Sequence, residues 1–176
     1  MATFDLTASS TTGVSASSTT DFPSNRRGIY VIEKELDVAK LVADGLFANV
    51  ASGDIFQVLE VPAETIVLTA GAEVTTAFTG GTPTADIDFA AGDDILDAAD
   101  LATLGYPAIG SNGQGNIINT AAANTFTALL TAADTIDVKI AATDTAMVSG
   151  VLRVYAVIAD ISTQQAGRTV AARDLV

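Results

Sequence analysis

The chain of 176 residues contains no cysteine and no histidine. Without cysteine there is no disulfide framework and no thiolate metal site, and nothing marks the redox compartment. Without histidine the commonest general base and metal ligand are missing, along with every Ser-His or Cys-His catalytic arrangement. Tryptophan is absent too. Positive charge is scarce: 8 Lys and Arg stand against 21 Asp and Glu, a net charge of −13. Such a fold is repelled by phosphate, so no nucleic-acid partner is expected. No apolar run approaches the ~20 residues that span a bilayer. The best candidate, VLRVYAVIAD from Val151, is short, holds Arg153 and ends on Asp160. No membrane partner is expected. MATFDLTASS has neither a basic n-region nor an apolar h-region, so no secretory signal is expected either. Carboxylates, hydroxyls and Lys139 are all that remain for catalysis.

What is present suits a folded domain. The hydrophobic fraction is 49% and the charged fraction 16%, a globular composition. Much of the apolar content is Ala and Val, and Thr is abundant, as pleated sheets favour. The charges are segregated. Residues 1–40 carry 5 acids and 4 bases, residues 139–176 carry 3 acids and 4 bases, and between Lys40 and Lys139 there are 13 acids and no base. An acidic body with near-neutral ends implies different surroundings for each.

Of the first 25 residues, 12 are Ser or Thr. This leader cannot bury much apolar surface by itself and is expected to be disordered alone. Phe4, Leu6 and Phe22 are its few anchors, either for its own domain or for another chain. Arg26 and Arg27, before the first strand, either clamp a partner's carboxylate or are solvated. The domain limits read as an extended arm over residues 1–27, a β-domain over 28–162 and a C-terminal tail over 163–176.

From Gly28 onward the apolar residues alternate. GIYVIEKELDVAKLVAD predicts a strand near Ile29–Glu35 and a second before Ala43. DIFQVLEV sets Ile55, Gln57, Leu59 and Val61 against Phe56, Val58 and Glu60, and Pro62-Ala63-Glu64 turns the chain. TIVLTAGAEVTTAF predicts a long strand with Ile66, Leu68, Ala70, Ala72, Val74, Thr76 and Phe78 on one face, bent at Gly71. Gly80-Gly81-Thr82-Pro83 is a turn. Ala85, Ile87 and Phe89 alternate with Thr84, Asp86 and Asp88, a strand with one wet face. Further strands fall around Thr125–Leu130, over TIDVKIAA with Ile136, Val138 and Ile140 inward, and over GVLRVYAVIADIS with Leu152, Val154, Ala156 and Ile158 inward. About eight strands, frequent turn signals and little helix predict an all-β fold: an antiparallel β-sandwich of the jelly-roll kind.

TADIDFAAGDDILDAADLATLG, from Thr84, is the densest acidic stretch. As an EF-hand it fails, because Ala90 stands where the third oxygen ligand belongs and the stretch contains no Glu. A Ca²⁺ site on Asp88, Asp93 and Asp94 is a weaker alternative. A glycosidase pair needs two carboxylates ~5–10 Å apart in a cleft, and nothing nearby marks a sugar cleft. The remaining reading explains every residue: Asp86 and Asp88 form a solvated face, and Asp93 or Asp94 caps a helix over Ile95–Thr103 that ends at Gly105. Neutralising Asp86 and Asp88 should then change stability by well under ~1 kcal/mol. SNGQG lacks Lys and is too short for a phosphate loop.

DIFQVLEVPAETIVLTAGAEVTTAF, ADIDFAAGDDILDAADL and DTIDVKIAATDTAMVSGVLRVYAVIADIS together resemble small structural proteins of tailed bacteriophages, especially the capsid decoration or cement proteins of podovirus-like phages. The resemblance covers residues 54–162. It implies a virion protein on the outer capsid surface that stabilises the head without catalysis, with no cofactor and no metal. Its partners would be the major capsid protein and itself, as a homotrimer. The contacts are expected from the tails, through Phe4, Leu6, Phe22, Arg26, Arg27, Arg168 and Arg173. The competing expectation is a tail or fibre component that binds a host-surface glycan.

Overall fold

Strands with one apolar face bury it only by meeting another such face, and here two sheets do so. The fold is seen in a computed structural model, which describes residues 2–5, 14–15, 29–89, 95–106 and 128–160. The elements are β1 (Thr3–Asp5), β2 (Val14–Ser15), β3 (Ile29–Asp37), α1 (Val38–Ala43), β4 (Ile55–Val61), β5 (Thr65–Thr76), β6 (Thr84–Phe89), β7 (Leu96–Asp100), β8 (Ala128–Leu130), β9 (Asp134–Ala142) and β10 (Val151–Asp160). The sheets run β1-β4-β9-β6-β7 and β2-β3-β10-β5-β8. Pairing is antiparallel throughout, except that β1 lies parallel to β4. From β3 to β6 each strand lies in the sheet opposite its predecessor, β6 and β7 are neighbours in one sheet, and β8, β9 and β10 alternate again.

The all-β sandwich expected from the alternation is present. Leu152, Val154, Ala156 and Ile158 on β10 are buried, as are Ile136, Val138 and Ile140 on β9. Cross-strand register aligns Leu36, Leu152 and Val74 in one sheet and Phe56, Val138 and Ile87 in the other. Each large side chain so buried contributes roughly 1.5–3 kcal/mol.

Two strands depart from simple alternation. In β4, Gln57 pairs with Asp137 and Leu59 with Ile136, so Val58 is an extra residue. Phe56 and Val58 are buried before this bulge and Leu59 and Val61 after it. In β5, Val67 pairs with Ile158 and Thr69 with Val157, so Leu68 is extra. The inward residues are therefore Val67, Ala70, Ala72 and Val74, while Ile66 and Leu68 are half-buried. The irregularity in β5 is this bulge at Leu68, whereas Gly71 pairs regularly with Tyr155. One extra residue exchanges the faces of everything beyond it.

Two further expectations are corrected. The second strand before Ala43 is the helix α1. Asp37 ends β3, and its carboxylate accepts the Lys40 N–H at 3.1 Å as an N-cap. The helix expected over Ile95–Thr103 is instead β7 followed by a turn. Ile95 N–H donates to Ile87 O, Leu101 N–H to Pro83 O and Phe78 N–H to Leu101 O. A nine-residue helix is marginal by itself. The strand buries Ile95, Leu96, Ala99 and Leu101 all at once.

Candidate functional site

The acidic stretch was the first candidate, and its setting differs from the solvated face expected of it. Asp86 is 6% exposed and Asp88 0%. Both stand on β6, between β7 and β9. Asp86 faces Lys139 across the register, and the Lys139 ammonium lies 3.1 Å from its Oδ2. Its Oδ1 accepts the Ala98 N–H at 3.1 Å. Asp88 faces Asp137, which accepts the Thr135 hydroxyl at 2.6 Å. Gln57 continues this row on β4 and donates to the same hydroxyl at 3.4 Å. The Asp86 and Asp88 carboxylates are both buried, and Asp86 ties β6 to β7 through Ala98 and to β9 through Lys139. Among the described residues no group of three His, Cys, Asp or Glu could hold a metal ion. Asp93 and Asp94 lie outside the described residues. Asp100 closes the turn after β7 by accepting the Thr103 hydroxyl and the Ala102 N–H at 2.6 and 2.8 Å. The Thr103 hydroxyl, followed by that backbone bond, holds the Asp100 carboxyl below its usual value.

The outer face of the second sheet presents different chemistry. Arg153 on β10 reaches Glu33 on β3 at 3.5 Å and Glu73 on β5 through its other terminal nitrogen. Burial opposes its charge, but Glu73 and Glu33 outweigh burial and raise its pKa. Next in the row Tyr155 stands opposite Gly71, which leaves room for its ring. Tyr106 meets that ring edge-on, with centroids 6.4 Å apart. Burial first, then Tyr106, raises the pKa of the Tyr155 hydroxyl.

Beyond these residues the face turns apolar. Val31 pairs with Val157, and Ile29, Ala159, Ile66 and Leu129 align across β3, β10, β5 and β8. Paired residues share a face, so this is one apolar row four strands wide. Ile29 is 68% exposed, and Val31 and Leu129 are each 57% exposed. Solvent-facing sheet residues are ordinarily polar, and a contiguous apolar row is the kind of surface that a partner covers.

The third feature is the arm. Phe4 packs on its own domain, against Phe47 at 5.0 Å and Phe56 at 5.2 Å between ring centroids. Ala2 N–H donates to Asp54 Oδ1 at 2.9 Å, and Ile55 N–H to Ala2 O at 2.8 Å. Of the two alternatives for Phe4, the structure shows the domain contact. Leu6, Phe22, Arg26, Arg27, Arg168 and Arg173 lie outside the described residues. Phe47, Asp54, Tyr106 and the apolar row were not singled out from the sequence. The alternation does place Ile29, Val31 and Val157 on one face, but only tertiary pairing shows that this face has no covering layer among the described residues.

No helix among the described residues is long and apolar enough to cross a membrane. No protein-family model matches the chain, and no curated protein matches it. Two solved structures are similar to it. The capsid of Ralstonia phage GP4 holds a chain 20% identical, with a TM-score of 0.45, over 79% of this chain and 89% of that one. The acidic stable capsid structure of Helicobacter pylori bacteriophage KHP30 holds one 13% identical, with a TM-score of 0.35, over 73% of this chain and 86% of that one. Identities and superpositions this low leave the function to be read from the chain's own residues. Both structures are bacteriophage capsids.

Proposed function

We propose that this is a bacteriophage virion structural protein that binds the outer surface of the capsid as a decoration or cement protein. It acts by non-catalytic contacts with the major capsid protein and with copies of itself in a homotrimer. One observation carries the reading: the apolar row of Ile29, Ala159, Ile66 and Leu129 on a sheet face that has no covering layer among the described residues. Ile29 follows Arg26 and Arg27 closely in sequence, and Ala159 leads into the tail that holds Arg168 and Arg173. Register pairs Ile29 with Ala159, so both tails are rooted beside the row. A shell-binding protein needs such a patch, apolar at its centre and flanked by extensions that wrap a neighbour. The exposed acids of the base-free segment, Asp44, Glu60 and Glu64 among them, then face solvent, where their charge keeps particles apart. We also read the sheet orders β3-β10-β5-β8 and β4-β9-β6-β7 as a jelly roll.

The test is binding of the purified protein to particles stripped of it. Ile29→Asp with Val31→Asp should weaken binding at least roughly tenfold, since each buries a charge at the interface, while leaving the fold intact because both positions are exposed. Unchanged binding removes this face from the interface. A second reading, a tail or fibre component that binds a glycan, is favoured by Tyr106 standing over Tyr155 beside Arg153 and Glu73. An electron-microscopy map decides between them: copies over the whole shell support decoration, and copies confined to one vertex support the tail.

A further inference from the structure

We propose that the N-terminal arm is an exchangeable strand: residues 2–5 of one copy occupy the β4 edge of a second copy, in the socket that the arm fills on its own domain. The proposal deepens the self-association named above and rests on that reading for the crowded shell in which exchange would operate.

The plug and the socket are separate pieces of chain. The plug is Ala2–Asp5, and the socket is Phe47 together with Asp54, Ile55, Phe56 and Gln57. Ala2 supplies an N–H to Asp54 and a carbonyl to Ile55, Thr3 and Asp5 take register positions beside Ile55 and Gln57, and Phe4 enters between Phe47 and Phe56. Asp54 is set without the arm, because its second oxygen accepts the Ala51 N–H at 3.0 Å. An arm from another copy meets the same atoms in the same order. Exchange therefore changes no contact, and only the linker and the concentration of neighbours decide its extent.

Three features favour exchange. The pairing is parallel and three residues long, the weaker ladder type and a short one, so opening costs little. Residues 6–13, LTASSTTG, join the plug to β2. At about 3.3 Å per residue they span up to ~26 Å. The charge distribution points the same way. Residues 1–20 hold one charged side chain, Asp5, whereas residues 41–138 hold 13 acids and no base. Two such bodies repel at close range, and the arm, with one charged side chain, is the part that can cross between them.

The absence of cysteine allows a clean test. Thr3 and Ile55 are register partners, and neighbouring strands lie about 5 Å apart, within the span of a disulfide. A Thr3→Cys variant is mixed with an Ile55→Cys variant and oxidised over a concentration series. The disulfide-linked peptide pair joining positions 3 and 55, read by mass spectrometry, can arise only between chains. It should increase with concentration toward about 1 mM, the order of the effective concentration that a short tether sets. The double variant, oxidised when dilute, should close within one chain and report the register itself. If the double variant closes and the mixture yields no more linked peptide than Thr3→Cys mixed with Ala102→Cys, the arm stays with its own body and the proposal is overturned. If the double variant does not close, the socket is wrong and the proposal falls with it. Linked peptide from a protein that never binds particles would retain exchange and remove the capsid reading.

Discussion

Lys139 is the first base after the long acidic segment, and it lies opposite Asp86 in a row whose neighbour pairs Asp88 with Asp137. Its ammonium offsets charge that the sheet has taken out of water. Removing one partner of a buried pair leaves the other uncompensated and costs about 3–5 kcal/mol. The Lys139 side chain is 33% exposed, so solvent screening reduces that figure. Lys139→Gln should lower the unfolding free energy by about 1–2 kcal/mol in urea titration, several times the effect expected had Asp86 been solvated. At the alkaline end, Tyr155 has its hydroxyl pKa raised by burial and by Tyr106. A group whose folded pKa is raised contributes stability below its unfolded value, and loses it as pH rises through the folded value. Stability should therefore fall as pH climbs past about 10, and Tyr155→Phe should blunt that fall in a pH series of melting curves.

The elements are shaped by residues that interrupt regular patterns. The Val58 and Leu68 bulges re-aim the ends of β4 and β5 into the core, and a residue with positive φ sets β7. Ala98 has φ 48° and gives its N–H to Asp86. For an L-residue this conformation costs roughly 1–2 kcal/mol, and Gly avoids most of that while paying chain entropy. Ala98→Gly should leave stability unchanged or raise it by up to about 1 kcal/mol. Gly150, at the start of β10, is the opposite case. It has φ 138°, and a Cβ there would stand 2.3 Å from the Phe78 ring. Phe78 is buried in the core, so its ring has little room to retreat. Gly150→Ala should cost at least about 2 kcal/mol. The two substitutions together, read by urea denaturation, test whether backbone strain or side-chain loss governs these junctions.

Across the whole molecule, the arm ties one end of the chain to the far edge of a sheet formed by later residues. The leader was expected to be disordered alone, and Ala2–Asp5 instead pair with β4. Deleting residues 1–5 should cost about 1–2 kcal/mol, from part of the burial of Phe4 and the uncovering of Phe56. The sandwich should persist, because its two central layers do not need the arm. Amide exchange offers a local readout. The Ile55 N–H bonds to Ala2 O, so it should lose protection in the truncated protein while the amides of β9 and β10 retain theirs. Retained protection at Ile55 would mean that the arm does not dock. Deleting residues 1–25 should likewise leave a folded β-domain, one that binds the shell far more weakly.

The sequence by itself determined β3 to β6 and β8 to β10 and many of their inward faces, but not β1, β2 or β7. Period-2 alternation is a local property, so Ile136, Val138 and Ile140, and Leu152 through Ile158, could be assigned without knowing their neighbours. The lack of Cys and His likewise narrows the available chemistry. Only tertiary structure decided the rest, because each remaining question concerned what lies across from a residue. Alternation marks Asp86 and Asp88 as one face of a strand but cannot say that Lys139 and Asp137 stand beside them, or that the face is covered. It cannot locate an extra residue, since Val58 and Leu68 are as apolar as their neighbours and a bulge shows only in the partner strand's register. The apolar spacing of Ile95, Leu96, Ala99 and Leu101 fits a helix, and the backbone bonds to Ile87, Pro83 and Phe78 made it a strand and turn. Phe4 and Phe47 are far apart in sequence and meet because β4 brings Phe56 beside both. The same limit explains the candidate site: Ile29 and Leu129 become one row only when β10 and β5 lie between them.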